Sequence, residues 1–260
     1  MSKANSANSQ KGIAYKVLTG IWAVWGGFWY LIVLAIFAPF IFIAFLFSKS
    51  AKANILYIRI GLRWISLWLY LVGIRCKISG KEFLDKNKTY VMVANHTSSL
   101  DIPAYMKGAY PVAFRFLAKA ELGKVPVMGF LLKRLAVLVD RKNVEARKQS
   151  FQNMVNSINE GISVGIYPEG TRNKTQEPLK QFYNGAFRLA IETNTPIAVL
   201  TIVGASELMG KYGSASLRPG TYYAYWSKPI DTSNYQMSDI EQLMDEVRQT
   251  MLSKLQSHPK

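Results

Sequence analysis

YVMVANHTSSLD, residues 90–101, is the stretch from which the fold can be read. Tyr90 to Asn95 is an uncharged apolar run of strand length. His96 follows it directly. Asp101-Ile102-Pro103 then reads as a helix start, with Pro103 in the first turn, where a missing N–H costs nothing. A strand, a short loop carrying an imidazole and a carboxylate, and a helix therefore follow one another without a break.

The same alternation continues downstream. Ala113 to Ala118 and Ala136 to Val139 are strand candidates. Val144 to Asn159 places Phe151, Met154, Val155 and Ile158 at helical spacing, with Gly161 just beyond. Ser163 to Tyr167 is a buried-type strand that runs into PEGTRN. Asn184 to Thr193 is helical, and Pro196 to Val203 and Thr221 to Trp226 are strands. The last helix is expected to begin at Ser238, where Glu241 completes a capping-box spacing. Alternation of this kind predicts an α/β fold, a mainly parallel or mixed sheet flanked by helices, over residues 75–260.

The upstream sequence is of another kind. Residues 1–16 form a polar N-terminal tail, disordered over 1–12. Val17 to Ser48 carries no charge, longer than the ~20 residues that span a bilayer and too long for a secretory apolar core. Pro39 is expected to kink or end this helix. Ile55 to Ile74 is apolar but holds Arg59 and Arg63 on one helix face, with Trp64, Trp68 and Tyr70 beside them. Residues 17–74 are thus read as an N-terminal two-helix membrane-anchoring motif. Two full crossings would put Lys49 and Lys52 on the outer face. A hairpin dipping into one leaflet keeps them on the cytoplasmic side and is preferred.

Composition narrows the chemistry. The 260 residues carry a net charge of +16, from 32 basic and 16 acidic residues, which calls for an anionic partner. The basic residues follow no nucleic-acid-binding motif, so nucleic acid is not expected. Cys76 is the single cysteine, excluding an internal disulfide and a thiolate metal site. The histidines are His96 and His258, the latter close to the C-terminus, so no His-rich metal site can be built.

His96 is therefore the one imidazole placed for catalysis. An imidazole titrates ordinarily near pH ~6.5 and suits a general base, and Asp101 can reach back to fix its tautomer. Spacing alone favours a plainer reading, a helix cap and a closed loop. The second loop, Tyr167 to Asn173 (YPEGTRN), shifts that balance. Gly170 allows close backbone approach to a ligand, Arg172 can hold phosphate through two N–H groups, and Glu169 can accept hydrogen bonds from hydroxyls or orient an arginine. Ser98 and Ser99 lack the strand-turn-helix setting of a hydrolase nucleophile. The substrate is then expected to bring its own hydroxyl.

Four blocks in this order resemble those of the 1-acyl-sn-glycerol-3-phosphate acyltransferases and their glycerolipid acyltransferase relatives. They are NHTSSLD; Ala118 to Leu122 through Leu138 to Arg141; YPEGTRN; and Thr195 to Val199, where Ala198 and Leu200 are apolar variants of a loose pattern. The resemblance covers roughly residues 75–230. It implies that His96 deprotonates an acceptor hydroxyl with Asp101 in support, and that the hydroxyl attacks the thioester of acyl-CoA or acyl-carrier protein. It implies that Lys119, Arg141 and Arg172 bind the phosphate of lysophosphatidic acid, that Glu169 and Gly170 line the glycerol region, and that Thr171 is a further substrate-binding residue. The Gly170–Thr171 backbone is the expected oxyanion donor. No metal or other cofactor is implied. The setting implied is the cytoplasmic face of a phospholipid bilayer, the inner membrane in a bacterium. A different acceptor (glycerol-3-phosphate, another lysophospholipid or an amino-acid lyso-lipid) and a non-catalytic basic membrane-binding module remain as alternatives.

Overall fold

A computed structural model describes residues 2–45, 51–124, 129, 132, 135–140, 143–210 and 216–257. Lys49, Arg141 and His258 lie outside the described residues. The strand that leads into His96, β2 (Val91–Ala94), is buried at every position. Val91 and Val93 face one core and Met92 and Ala94 the other, the period-two alternation of a strand covered on both sides.

Around it lie β1 (Ile74–Ser79), β3 (Phe114–Lys119), β4 (Ala136–Val139), β5 (Ser163–Ile166), β6 (Ile197–Val203) and β7 (Gly220–Trp226). Their spatial order is β1-β7-β6-β2-β5-β3-β4. All neighbours pair parallel except β6 and β7. The sheet is therefore mixed, with a parallel centre.

Two helices matter most for the site. α3 (Asp101–Ala109) leaves β2, packs on one face through Ala104, Tyr105 and Ala109, and leads to β3 beyond β5. The helix Gly185–Glu192 leaves β5, packs on the opposite face through Phe187, Leu189 and Ala190, and leads to β6 beyond β2. Adjacent strands β2 and β5 thus send their chains in opposite directions over opposite faces. That is a topological switch point, where sheets of this kind hold their ligand crevice at the strands' carboxyl ends. The helix Val144–Asn159 and the last helix, Ile240–Ser257, complete the second face.

The N-terminal region departs from expectation in three ways. α1 (Ser2–Phe45) is helical from Ser2, so residues read as a tail extend the helix. Once a helix is nucleated, adding residues such as Ala4, Gln10 and Lys11 costs little. α1 also runs through Pro39 to Phe45. One N–H is lost there, but a continuous helix still satisfies the other backbone groups.

The third departure concerns α2 (Ala51–Leu71). It is a layer of the α/β domain and not a separate anchor. Ile58, Trp68, Leu69 and Val72 belong to the same core as Met92 and Tyr222. At its start the Asn54 side chain accepts the Phe114 N–H at 2.9 Å. The boundary at residue 74 therefore divides one packed body.

α1 packs antiparallel along α2. The indoles of Trp22 and Trp25 donate to Val72 O and Leu71 O at 3.1 and 3.4 Å, capping carbonyls that the helix end leaves open. Trp68 donates back to Gly26 O at 2.8 Å. Val17, Leu18, Ile21, Val24, Phe28 and Leu31 remain exposed. Tyr15–Phe40, 26 residues with mean hydropathy 2.0, is long and apolar enough to cross a membrane.

The last helix is capped two residues earlier than expected. The box is formed by Gln236 and Asp239 on a 3-10 turn, and the α-helix begins at Ile240. The Asp239 carboxylate reaches the Gln236 N–H at 2.9 Å, which leaves Ser238 without the capping role.

Candidate active site

β2 ends at Ala94, yet Asn95 prolongs its pairing with β6. The Asn95 side-chain amide donates to Ile202 O at 2.9 Å and accepts the Ile202 N–H at 2.7 Å. That amide fixes the point from which His96 departs. The His96 ring then lies flat on Tyr167, the first residue after β5, with centroids 4.1 Å apart and planes 16° apart. Burial raises the Tyr167 phenol well above its usual range, so this platform stays neutral.

His96 Nδ1 sits 2.8 Å from Asp101 Oδ2. The same oxygen accepts the Thr97 and Ser98 N–H groups at 2.6 and 2.8 Å. Asp101 is fully buried, while 17% of the His96 side chain is exposed. Three donors converging on one oxygen hold the carboxylate as an acceptor, so the proton of the neutral imidazole resides on Nδ1. Nε2 is left with its lone pair. The helix-cap reading and the dyad reading merge here, because Asp101 closes the loop and orients the base with a single oxygen.

The two loops are tied at the backbone. Glu169 Oε1 accepts the His96 N–H at 2.7 Å and Oε2 accepts the Lys180 N–H at 2.9 Å. Glu169 is 1% exposed, and burial raises its carboxyl above the ordinary range against the pull of those two bonds. Asn173 N–H donates to His96 O at 2.6 Å, and Tyr183 N–H to Pro168 O at 2.9 Å. Glu169 therefore does not line the glycerol region as expected; both oxygens are engaged by main chain. The Gly170 N–H donates to Tyr167 O at 2.9 Å, which removes it as an oxyanion donor. Gly170 instead supplies a left-handed turn, φ 71°, that reverses the loop.

Thr171 and Arg172 are exposed on this loop, and Lys119 is exposed at the end of β3, the strand next to β5. These cations share the rim on which His96 opens. Ser98 is excluded as a nucleophile: its hydroxyl donates to Met209 O at 2.7 Å and accepts the Leu100 N–H at 3.2 Å. Tyr167 and Asn95 position the His96 loop, and their residue types alone do not announce it. Their position as the residues that terminate buried strands was the available signal. Among the described residues, no three His, Cys, Asp or Glu side chains cluster to hold a metal.

Residues 75–203 match the model of the family described as Acyltransferase. The chain is 32% identical over 218 residues to the 1-acyl-sn-glycerol-3-phosphate acyltransferase of Saccharomyces cerevisiae, covering 78% of this chain and 70% of the yeast protein. It belongs to the 1-acyl-sn-glycerol-3-phosphate acyltransferase family. The protein of that name from Borreliella burgdorferi is 27% identical over 195 residues, 74% of this chain and 76% of that one. The architecture of this acyltransferase is also that of a solved structure, the 1-acyl-sn-glycerophosphate acyltransferase of Thermotoga maritima. The TM-score is 0.77 at 20% identity, over 93% of this chain and 97% of the other, and the likeness is one of fold.

Proposed function

We propose that this acyltransferase moves a fatty acyl group from acyl-CoA or acyl-carrier protein to the sn-2 hydroxyl of lysophosphatidic acid, forming phosphatidic acid. One observation carries the mechanism: Asp101 holds Nδ1 of His96 while the adjacent Ser98 hydroxyl is committed elsewhere. A base with a free Nε2 and no protein nucleophile beside it suits direct attack by the acceptor. Nε2 takes the acceptor hydroxyl proton as the oxygen bonds to the thioester carbonyl carbon. The tetrahedral intermediate collapses, the carbon–sulfur bond breaks, and the imidazolium returns its proton to the leaving thiolate. No acyl-enzyme, metal or other cofactor enters the scheme. A positioned base contributes about 10²–10⁴-fold to such a step. Lys119 and Arg172 bind the acceptor phosphate, with Arg141 as the third cation of the set.

The same reading places the enzyme on the cytoplasmic face of a bilayer, the inner membrane in a bacterium. α2 is packed against the domain from Asn54 to Val72, and α1 folds back along it. A helix packed on the domain by one face, with Arg59 and Arg63 on the other, favours a hairpin seated in one leaflet over two crossings.

Full-length protein in detergent is assayed with lysophosphatidic acid and each donor, beside His96→Ala. Transfer by the unaltered chain and loss of ~10²-fold or more in the variant are expected, with vesicle binding retained. Transfer only to acceptors lacking phosphate would sink the acceptor assignment. Undiminished transfer by His96→Ala would remove the base.

A further inference from the structure

After the YPEGTRN loop the chain returns to it at Lys180. The Lys180 N–H donates to Glu169 Oε2, and its ammonium donates to the Thr171 hydroxyl at 2.9 Å. Main chain and side chain of one residue thus hold the loop on either side of Gly170. The backbone at Lys180 is itself fastened from the far face of the sheet. Arg248, in the last helix, donates to Lys180 O at 2.9 Å and Leu179 O at 3.5 Å, with its guanidinium 5.7 Å from the Phe182 ring centre. The fold, not a free side chain's wandering, sets where the ammonium lies.

Lys180 is half-buried as a residue, its ammonium contact lies at the surface, and the ammonium's partner among the described residues is a neutral hydroxyl. An ammonium has three donors, so two stay open for an anion. They open beside Arg172, on the loop that joins His96 through Glu169. We propose that Lys180 is a binding residue for the acceptor's phosphate, acting with Arg172 and set in place by Arg248. The proposal rests on lysophosphatidic acid being the acceptor. Phosphate also occurs in acyl-CoA, so the test separates the two sources.

Lys180→Met, Lys180→Gln and Lys180→Arg are compared with the unaltered full-length protein in detergent. Losing a charge-assisted bond to phosphate should raise KM for lysophosphatidic acid about tenfold or more in the Met and Gln variants. KM for the donor, kcat and melting temperature should hold nearly constant, and Lys180→Arg should recover most of the loss. Gln keeps a donor toward Thr171 without the charge, which separates electrostatics from packing. An unchanged KM for the lipid, or a rise confined to acyl-CoA, overturns the proposal. If the unaltered protein transfers nothing to lysophosphatidic acid, the acceptor reading fails by itself. The variants are then compared through the rise in melting temperature given by inorganic phosphate. A rise in the unaltered chain that is missing from Lys180→Met supports the role of Lys180; equal rises, or none in either, overturn it.

Discussion

Asp101 uses one oxygen for three donors, and that concentration makes it sensitive to substitution. Asp101→Asn keeps the shape but offers an amide where an anion stood. The imidazole then loses its tautomer preference and the partner for its charged form. kcat should fall by about 10²–10⁴-fold with little change in KM for either substrate, measured in steady state. Glu169 gives a different outcome. Its folded carboxyl titrates above the unfolded value near 4.5, so the folded chain holds that proton more tightly. Ionisation therefore subtracts stability as pH rises through 4.5 and beyond, and the contribution is fully present only below it. Glu169→Gln removes that dependence and also turns an N–H donor toward a backbone N–H, costing about 1–3 kcal/mol. Thermal unfolding should show the variant less stable at every pH, with the gap to the unaltered protein narrowing as pH rises. At this scale the sequence disclosed His96, Asp101 and the loop, because their residue types announce chemistry. It hid what Glu169 does. A glutamate beside Gly-Thr-Arg reads as a substrate contact, whereas its partners are two main-chain donors, one of them His96, that only the sheet brings near.

Among the elements, β5 shows how tightly the crevice floor is built. A Cβ on Gly165 would come within 2.8 to 3.1 Å of the Tyr105 ring and hydroxyl, and Tyr105 is fully buried and bonded to Met92 O at 2.8 Å. Neither side can yield easily. Gly165→Ala should cost about 1–3 kcal/mol and lower the melting temperature, with a further loss of kcat because Tyr167 follows two residues later. A melting temperature equal to that of the unaltered chain would show the floor to be softer than drawn. The strands of the parallel centre were legible to within a residue or so, since continuous apolar runs between polar loops have few other uses. α2 was not legible as part of the domain. Its tryptophans and arginines satisfy a membrane interface and a protein core equally well, and the choice is made by Asn54 reaching Phe114 across sixty residues of chain.

For the whole molecule, the exposed stripe of α1 and the solvent-facing Arg59 and Arg63 of α2 are expected to divide the work of membrane attachment. Apolar area gives affinity for any bilayer, and each arginine adds about 1 kcal/mol toward an anionic one. Arg59→Glu with Arg63→Glu should weaken binding to phosphatidylserine-containing vesicles at least tenfold at low salt, leave binding to neutral vesicles near its original level, and leave transfer in detergent intact. Equal weakening on both vesicle types would assign the arginines to folding. Because Trp22 and Trp25 bond to the carbonyls just before β1, and α2 shares the core of the sheet, no tether separates anchor from catalyst. A tethered enzyme can sample many heights above a bilayer; with α1 seated in one, this chain is expected to keep a single altitude and heading. On that expectation the distance a lipid must rise to meet Nε2 is a constant of the structure, and the search for substrate reduces to sliding in two dimensions.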